Sequence, residues 1–187
     1  TVAGMARCLA RAMSSGGRCR LIHLHAHPEP GMSISVPFDL TYEFEVKAPF
    51  KNVFDVLADV PTSASHFPKL ARLLALGDNA YRWELEKVGT EKIHIQTIYT
   101  SRYVSDRKNG TISWAPVPDG GTAEVSGRWT VTDRKTSTHL RLDLNGQIGA
   151  PLPALTKALA GPVIVRENEK LVEKYIDNLI ERFGGEA

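Results

Sequence analysis

Aromatic side chains recur at alternate positions along the strand-like segments of this 187-residue chain. Each lies in a run of alternating apolar and polar residues, on the side that carries the other apolar residues. Successive side chains of a strand point to opposite faces, so the alternation predicts that these rings share one buried face of a sheet. The residues concerned are Trp83, Trp114, Trp129, Tyr81, Tyr99 and Tyr103.

Three polar residues interrupt these apolar surfaces. Thr97 and Ser101 fall on the face of Tyr99, and Asn168 continues the apolar stripe of the last predicted helix toward its start. A mostly apolar surface with a few polar groups is typical of a small-molecule site. The alternative is an ordinary core, in which the hydroxyl and amide groups bond to backbone or water.

Few residues of the predicted inner face could move a proton. There is no G-x-S-x-G motif, and no cysteine follows Cys19. His66 ionises near neutral pH, so it is a candidate acid or base together with Tyr99, although a surface or capping role is the alternative. His94 and His139 alternate with charged neighbours and are predicted to face solvent, as are the arginines of the strands.

The elements that must position these groups follow from periodicity. Residues 38–47 alternate and predict a first strand, and Pro49 and Pro61 each suit the first turn of a short helix. Short turns such as Asn109-Gly110 join the later strands, which must therefore be antiparallel neighbours. The later predicted strands span residues 70–76, 81–88, 91–104, 111–115, 123–134 and 138–148.

Residues 160–183 predict a long helix with one apolar stripe, which must lie on the apolar face of the sheet. From Leu171 onward the stripe is regular, so we expect that half to pack directly on the sheet. Gly161-Pro162 should break or kink the earlier half, which also aims Asn168 inward. We expect the earlier half to stand off the sheet and to form the wall of a cavity.

Residues 1–33, here called the leader, differ in composition from residues 34–187, which we predict to be one domain. The leader contains arginines but only one acidic residue, Glu29. Three interpretations stay open: a non-native or upstream-translated segment before a start at Met32, a targeting peptide, or a metal site. Alternate residues of a strand share a face, so a metal could be held by His23, His25 and His27.

The order of elements resembles the helix-grip fold of the START-like superfamily, also called SRPBCC. The resemblance covers about residues 34–184. Within the superfamily, this chain is similar to proteins of the polyketide cyclase/dehydrase or coenzyme-Q-binding type. It implies an α+β fold, in which a strongly curved antiparallel sheet of about seven strands wraps around a long C-terminal helix. Two short helices would follow the first strand. The segments that carry the resemblance are FEVKAPFKNVFDVLADV, VSGRWTVTDRKTSTHLRLDL and ENEKLVEKYIDNLIERF.

The resemblance implies a cavity between the sheet and the C-terminal helix for a lipid, quinone, sterol or polyketide-like molecule. Binding or transport of such a ligand is our first hypothesis, and we expect the protein to use no cofactor. The alternatives are a polyketide cyclase/dehydrase (aromatase), whose acid or base would be Tyr99 or His66, and a protein-interaction or stress-response module. The predicted ligand-binding residues are Trp83, Tyr99, Trp114, Trp129, Thr97, Tyr103, Asn168 and Phe54.

Composition limits the possible partners. The formal net charge is +2, and the domain outside the leader shows no basic face, which argues against nucleic acid. No apolar run is long enough to span a bilayer, so stable membrane insertion is not expected. We expect a bacterial cytoplasmic protein, with a homodimer as one possible state.

Overall fold

The computed structural model describes residues 34–89, 94–118 and 121–187 of the chain. Seven strands form one antiparallel curved sheet in the order β1-β9-β8-β7-β6-β3-β2, and two short strands, β4 and β5, pair separately. The strands are β1 Ile34–Val46, β2 Leu70–Gly77, β3 Ala80–Leu85, β4 Val88–Gly89, β5 His94–Ile95, β6 Ile98–Asp106, β7 Thr111–Pro116, β8 Ala123–Asp133 and β9 Thr138–Ala150. The helices are α1 Phe50–Ala58, α2 Val60–Ala64 and α3 Lys157–Arg182, with a 3-10 turn Ala154–Thr156 before α3.

The predicted α+β helix-grip fold is confirmed. Two short helices follow the first strand, and the long C-terminal helix comes last. The buried residues of both layers form one core, which joins the inner face of the sheet to Val172, Ile176 and Leu179 of α3. None of the helices in the described part of the chain is long and apolar enough to cross a membrane.

β1 begins four residues before the predicted start at Phe38. Buried and exposed residues alternate from Ile34 onward, and β1 pairs with β9 along its whole length. Ile34 and Val36 are buried beside Ala150, which explains why the strand extends in this direction. The ladder therefore ends at Ala150, four residues before the 3-10 turn that precedes α3.

The predicted single strand over residues 91–104 is divided in the structure. β5 ends at Ile95 and β6 begins at Ile98, so Gln96 and Thr97 lie between strands. The Gln96 side chain donates to the Leu85 carbonyl at 3.0 Å, and the Thr97 carbonyl accepts from the Leu85 N–H at 3.0 Å. These bonds bring the end of β3 against the start of β6 and leave the Thr97 side chain free to face inward.

The sequence predicted a break or a kink at Pro162; α3 runs without interruption through this residue, so the break does not occur. Proline removes one helical hydrogen bond, and only about one turn precedes Pro162, so little of the helix is disturbed. The helix ends where Gly184 and Gly185 take positive φ angles of 87° and 95°. The Gly185 N–H donates to the Ile180 carbonyl at 2.9 Å, which closes the C-terminus as glycine commonly does.

Candidate functional site

A cavity, here called the inner cavity, lies between the concave face of the sheet and α3, with α2 at one side. Its volume is about 70 Å³. One water needs about 10–15 Å³, so the cavity has room for roughly five waters. Its walls are Phe38, Leu57, Val60, Ser63, Phe67, Trp83, Leu85, Thr97, Tyr99, Tyr103, Ile112, Trp114, Val125, Trp129, Leu142, Leu144, Ile148, Asn168, Val172 and Tyr175.

Two stacked aromatic pairs form much of the wall contributed by the sheet. Trp83 lies directly opposite Tyr99 in the β3–β6 ladder, and their rings stack at 5.8 Å with planes 9° apart. Tyr103 lies opposite Trp114 in the β6–β7 ladder, with rings 5.6 Å apart and planes at 24°. Directly opposed residues of a ladder have adjacent side chains, so the strand register itself creates both pairs.

A glycine provides the space for the second pair. Gly127 lies opposite Trp114 in the β7–β8 ladder. A Cβ atom at this position would lie 2.5 Å from the Trp114 ring and 2.6 Å from the Asp143 carbonyl oxygen. Only glycine therefore allows the indole to lie against the backbone of β8.

The polar groups of the inner cavity divide into partnered and unpartnered ones. The Ser63 and Tyr175 hydroxyls are hydrogen-bonded at 2.6 Å, which ties α2 to α3. The Trp83 Nε1–H and the Asn168 Nδ2–H₂ are buried and have no hydrogen-bond partner among the described residues. Ser101, which the sequence also places inward, donates to the Val125 carbonyl at 2.8 Å and is an ordinary core residue.

All three tyrosines of the inner cavity stay protonated at neutral pH. Burial raises the pKa of Tyr99, with a smaller contribution from Tyr175, and burial also holds the pKa of Tyr103 well above its ordinary value. Burial raises the pKa of Tyr175 to about 12, although its hydrogen bond to Ser63 opposes the shift. A phenol with a raised pKa is a weaker acid, so these groups can donate hydrogen bonds but are poor proton donors.

A second hollow, here called the mouth, adjoins the inner cavity and shares four wall residues with it. It offers about 170 Å³ by the same measure and lies between the first turns of α3 and the end of β3. Val163, which lines it, is 60% exposed, and the exposed residues Leu155 and Leu159 precede it in the chain. The wall of the mouth also includes the charged residues Lys69, Glu86 and Glu167. The shared residues are Leu85, Thr97, Ile148 and Asn168.

Seven of the eight predicted ligand-binding residues line the inner cavity, and Phe54 does not. Phe54 is buried in the core, where it stacks on Phe50 at 5.6 Å and lies beneath the Arg107 guanidinium. The prediction for Phe54 is corrected because the next turn of α1, at Leu57, is the one that reaches the cavity. The seven that line it are Trp83, Tyr99, Trp114, Trp129, Thr97, Tyr103 and Asn168.

The predicted acid or base candidates are separated. Tyr99 lines the inner cavity, whereas His66 lies outside its wall, half-buried beside α3. The His66 Nδ1 atom is 2.9 Å from the Thr62 carbonyl, and the His66 carbonyl accepts from Asn178 at 2.8 Å. Its contacts are those of a residue that holds the turn after α2, which is the alternative role considered for it.

The histidines of the leader, His23, His25 and His27, lie outside the described residues. Within the residues that the structure describes, no group of three His, Cys, Asp or Glu side chains could hold a metal ion. His139 lies on the outer face of the sheet, 3.9 Å from Glu43, as its parity predicts.

Sequence reasoning did not identify the wall residues that α2 and its following turn contribute. Ser63 and Phe67 line the inner cavity, and the Phe67 ring contacts both Trp83 and Tyr175 at 5.8 and 5.3 Å. Local periodicity contains no signal for this, because the partners are far apart in sequence. An apolar Phe67 just before Pro68 is the single hint that the turn is anchored inward.

The cavity wall on α3 also extends further than predicted. The expectation was that the wall ends at Asn168, but Val172 and Tyr175 line the inner cavity as well. The residues before Asn168 contribute to the mouth instead, through Val163 and Ile164. The cavity follows the turns of α3 that face α2, and Tyr175 faces α2 because its hydroxyl bonds to Ser63.

Solved structures share this architecture at low sequence identity. A protein from Thermus thermophilus matches with a TM-score of 0.62 and 16% identity, over 78% of this chain and 97% of that one. A START superfamily protein from Mycobacterium smegmatis matches at 0.57 and 17%, over 78% and 97%. The ZhuI aromatase/cyclase from a Streptomyces species matches at 0.52 and 19%, over 78% and 90%.

At the sequence level, no curated protein matches the chain. The family model described as polyketide cyclase/dehydrase and lipid transport matches residues 37–184, from the fourth residue of β1 to beyond the end of α3. The resemblance predicted from the three sequence segments is therefore confirmed. The chain belongs to the polyketide cyclase/dehydrase and lipid transport family, on a START-like fold.

Proposed function

We propose that this chain binds or transports a small hydrophobic molecule in the inner cavity. The observation that carries the proposal is the composition of the wall. Among the described residues, every side chain of the wall is apolar, aromatic, hydroxyl or amide, and none is acidic, basic or histidine. Such a wall favours an apolar ligand, because each Å² of apolar surface removed from water contributes about 25 cal/mol.

The size of the cavity limits the size of the ligand that it can hold. Room for roughly five waters suits a molecule of one or two rings better than a long acyl chain. The stacked pairs Trp83–Tyr99 and Tyr103–Trp114 present ring surfaces on which a flat molecule can lie.

The polyketide cyclase alternative has less support from the geometry. Cyclisation needs an acid or base in contact with the substrate. The raised pKa of Tyr99 makes this tyrosine a weaker acid, and His66 lies outside the wall. If Tyr99→Phe and His66→Ala both abolished turnover of a polyketide substrate while ligand binding persisted, the enzymatic hypothesis would replace ours.

Native mass spectrometry of freshly purified protein tests the proposal directly. We expect a bound small molecule that is removed by organic extraction, and rebinding of hydrophobic probes to the extracted protein. Val125→Phe extends a wall residue into the inner cavity and should abolish both. Val104→Phe is the matched control, because Val104 is exposed on the outer face of the sheet, and it should bind as the wild type does.

Equal binding by the wild type and the folded Val125→Phe variant would overturn the proposal, because the ligand would then lie elsewhere. The cytoplasmic location and the homodimer stay predictions. Size-exclusion chromatography with light scattering is the measurement that decides the second.

A further inference from the structure

The inner cavity contains a hydrogen-bond donor that the protein leaves unsatisfied. Trp83 is 6% exposed, and its Nε1–H has no hydrogen-bond partner among the described residues. The indole N–H is a donor only, so no rotation of the group can convert it into an acceptor. An unmade bond of this kind is unfavourable when the site is dry, and an acceptor entering the cavity would relieve it.

The phenol of Tyr103 is the protein group that could compete for this donor. A hydrogen-bond interaction with the Trp83 side chain lowers the Tyr103 pKa, against the larger effect of burial. The two groups nevertheless do not meet at hydrogen-bond distance and angle. A ligand oxygen would therefore compete with Tyr103 for the Trp83 N–H.

A second unsatisfied donor comes from the helix. The Asn168 Nδ2–H₂ on α3 is also buried without a partner in the described part of the chain, and Asn168 lines the same cavity as Trp83. Trp83 projects from β3, so the two donors belong to opposite layers of the fold. A ligand between sheet and helix can meet both layers.

The wall also selects against charge. No cationic side chain of the described residues lines the inner cavity, so a carboxylate or phosphate placed there would lose water without gaining an ion pair. A neutral carbonyl oxygen accepts hydrogen bonds at a much smaller desolvation cost. The nearly parallel rings of Trp83 and Tyr99 favour a flat molecule.

We propose that the ligand of the inner cavity is a flat, uncharged carbonyl compound whose oxygen accepts a hydrogen bond from Trp83 Nε1–H, with the Asn168 amide as a second donor. This inference rests on the proposed function, because it assigns the chemical class of the molecule bound in the same cavity. It concerns recognition only and includes no covalent step.

Three probes of one shape test the inference. The probes share one framework. They are methyl aryl ketones, the isopropenyl arenes in which CH₂ replaces the oxygen, and the aryl carboxylates. Each is used in phenyl and naphthyl form. Calorimetry with the extracted wild-type protein at neutral pH measures their affinities. We expect the ketone to bind about tenfold more tightly than its isopropenyl counterpart, the effect of roughly one net hydrogen bond, and the carboxylate to bind most weakly.

Variants test whether the preference for the ketone over the isopropenyl arene comes from the Trp83 and Asn168 donors. Trp83→Phe should reduce the ratio of ketone to isopropenyl affinity to about threefold or less, and Asn168→Leu should reduce it in part. Trp129→Phe is the matched control, because the Trp129 indole already interacts with the Tyr175 hydroxyl. It should weaken both probes alike and leave the ratio unchanged. Tyr103→Phe should leave the ratio unchanged or raise it.

The outcomes separate this inference from the proposed function. Equal affinities for the ketone and the isopropenyl arene in the wild type, or a ratio that survives Trp83→Phe, would overturn the inference and leave hydrophobic binding intact. A carboxylate bound as tightly as the ketone would overturn the selection against charge. Failure of every probe to bind would overturn the proposed function itself.

Discussion

Removing the Tyr175 hydroxyl should destabilise the protein by about 1–3 kcal/mol, the cost of leaving a buried polar group without its partner. Ser63 and Tyr175 are 7% and 8% exposed, and their hydroxyls are 2.6 Å apart. In Tyr175→Phe, the Ser63 hydroxyl stays buried beside an aromatic ring, and the Trp129 indole loses the oxygen with which it interacts. Ser63→Ala should cost less, because the Tyr175 oxygen keeps the contact with Trp129.

A double-mutant cycle isolates the hydrogen bond from the loss of either group alone. The double variant lacks both hydroxyls, so its loss of stability should be smaller than the sum of the two single losses by about 1 kcal/mol. Urea denaturation followed by circular dichroism measures the free energy of unfolding of all four proteins. Additive losses, or a Tyr175→Phe protein as stable as the wild type, would show that the bond between α2 and α3 does not form and would refute the description of this side of the cavity.

The free energy of unfolding should fall as pH rises above about 10, since burial raises the pKa of the three cavity tyrosines above the unfolded value. Below that pH the three phenols are protonated in both the folded and the unfolded state, so this contribution to stability is complete. As the pH rises toward the higher folded pKa values, the unfolded chain releases protons that the folded protein retains, and stability falls by up to about 1.4 kcal/mol per pH unit for each proton released. Urea titrations at several alkaline pH values measure it, and a flat profile would contradict buried phenols. Leu179→Ala should cost about 2–5 kcal/mol because Leu179 is fully buried, whereas Leu159→Ala on the same helix should change stability by less than about 0.5 kcal/mol. Equal losses in urea denaturation would mean that the buried face of α3 is misassigned. Gly127→Ala should cost about 1–3 kcal/mol and alter the tryptophan fluorescence, because its Cβ would displace the Trp114 ring. A stable variant with unchanged fluorescence would contradict the close contact.

Much of the fold could be predicted because its signals are local. Alternation along residues 138–148 and the stripe of α3 depend only on neighbouring residues, and both elements form as predicted. Strand parity placed six cavity residues on the inner face, and the helical stripe placed Asn168 there. Parity distinguishes the inner from the outer side of a sheet, but it does not distinguish a cavity wall from a packed core. Ser101 shares the inner face and bonds to backbone, whereas Thr97 on the same face lines the cavity.

The predictions that failed depended on contacts between distant residues. Phe54 is apolar and faces inward like Leu57, yet only Leu57 reaches the cavity, because one turn of α1 changes the neighbour. The break between β5 and β6 depends on bonds from Gln96 and Thr97 to Leu85. None of these contacts is visible in the periodicity of the amino-acid sequence.

The amino-acid sequence by itself determined the order of elements, the inner and outer faces of the strands, and the apolar character of whatever the domain encloses. These follow from local periodicity, which the backbone geometry of strands and helices imposes on any chain. Only the tertiary structure decided which inward residues surround empty space, because a cavity exists where packing is incomplete, and packing is a property of side chains from separate elements. The pairing of Ser63 with Tyr175 and the unsatisfied donor of Trp83 are of this kind. They appear only when α2, α3 and the sheet are brought together.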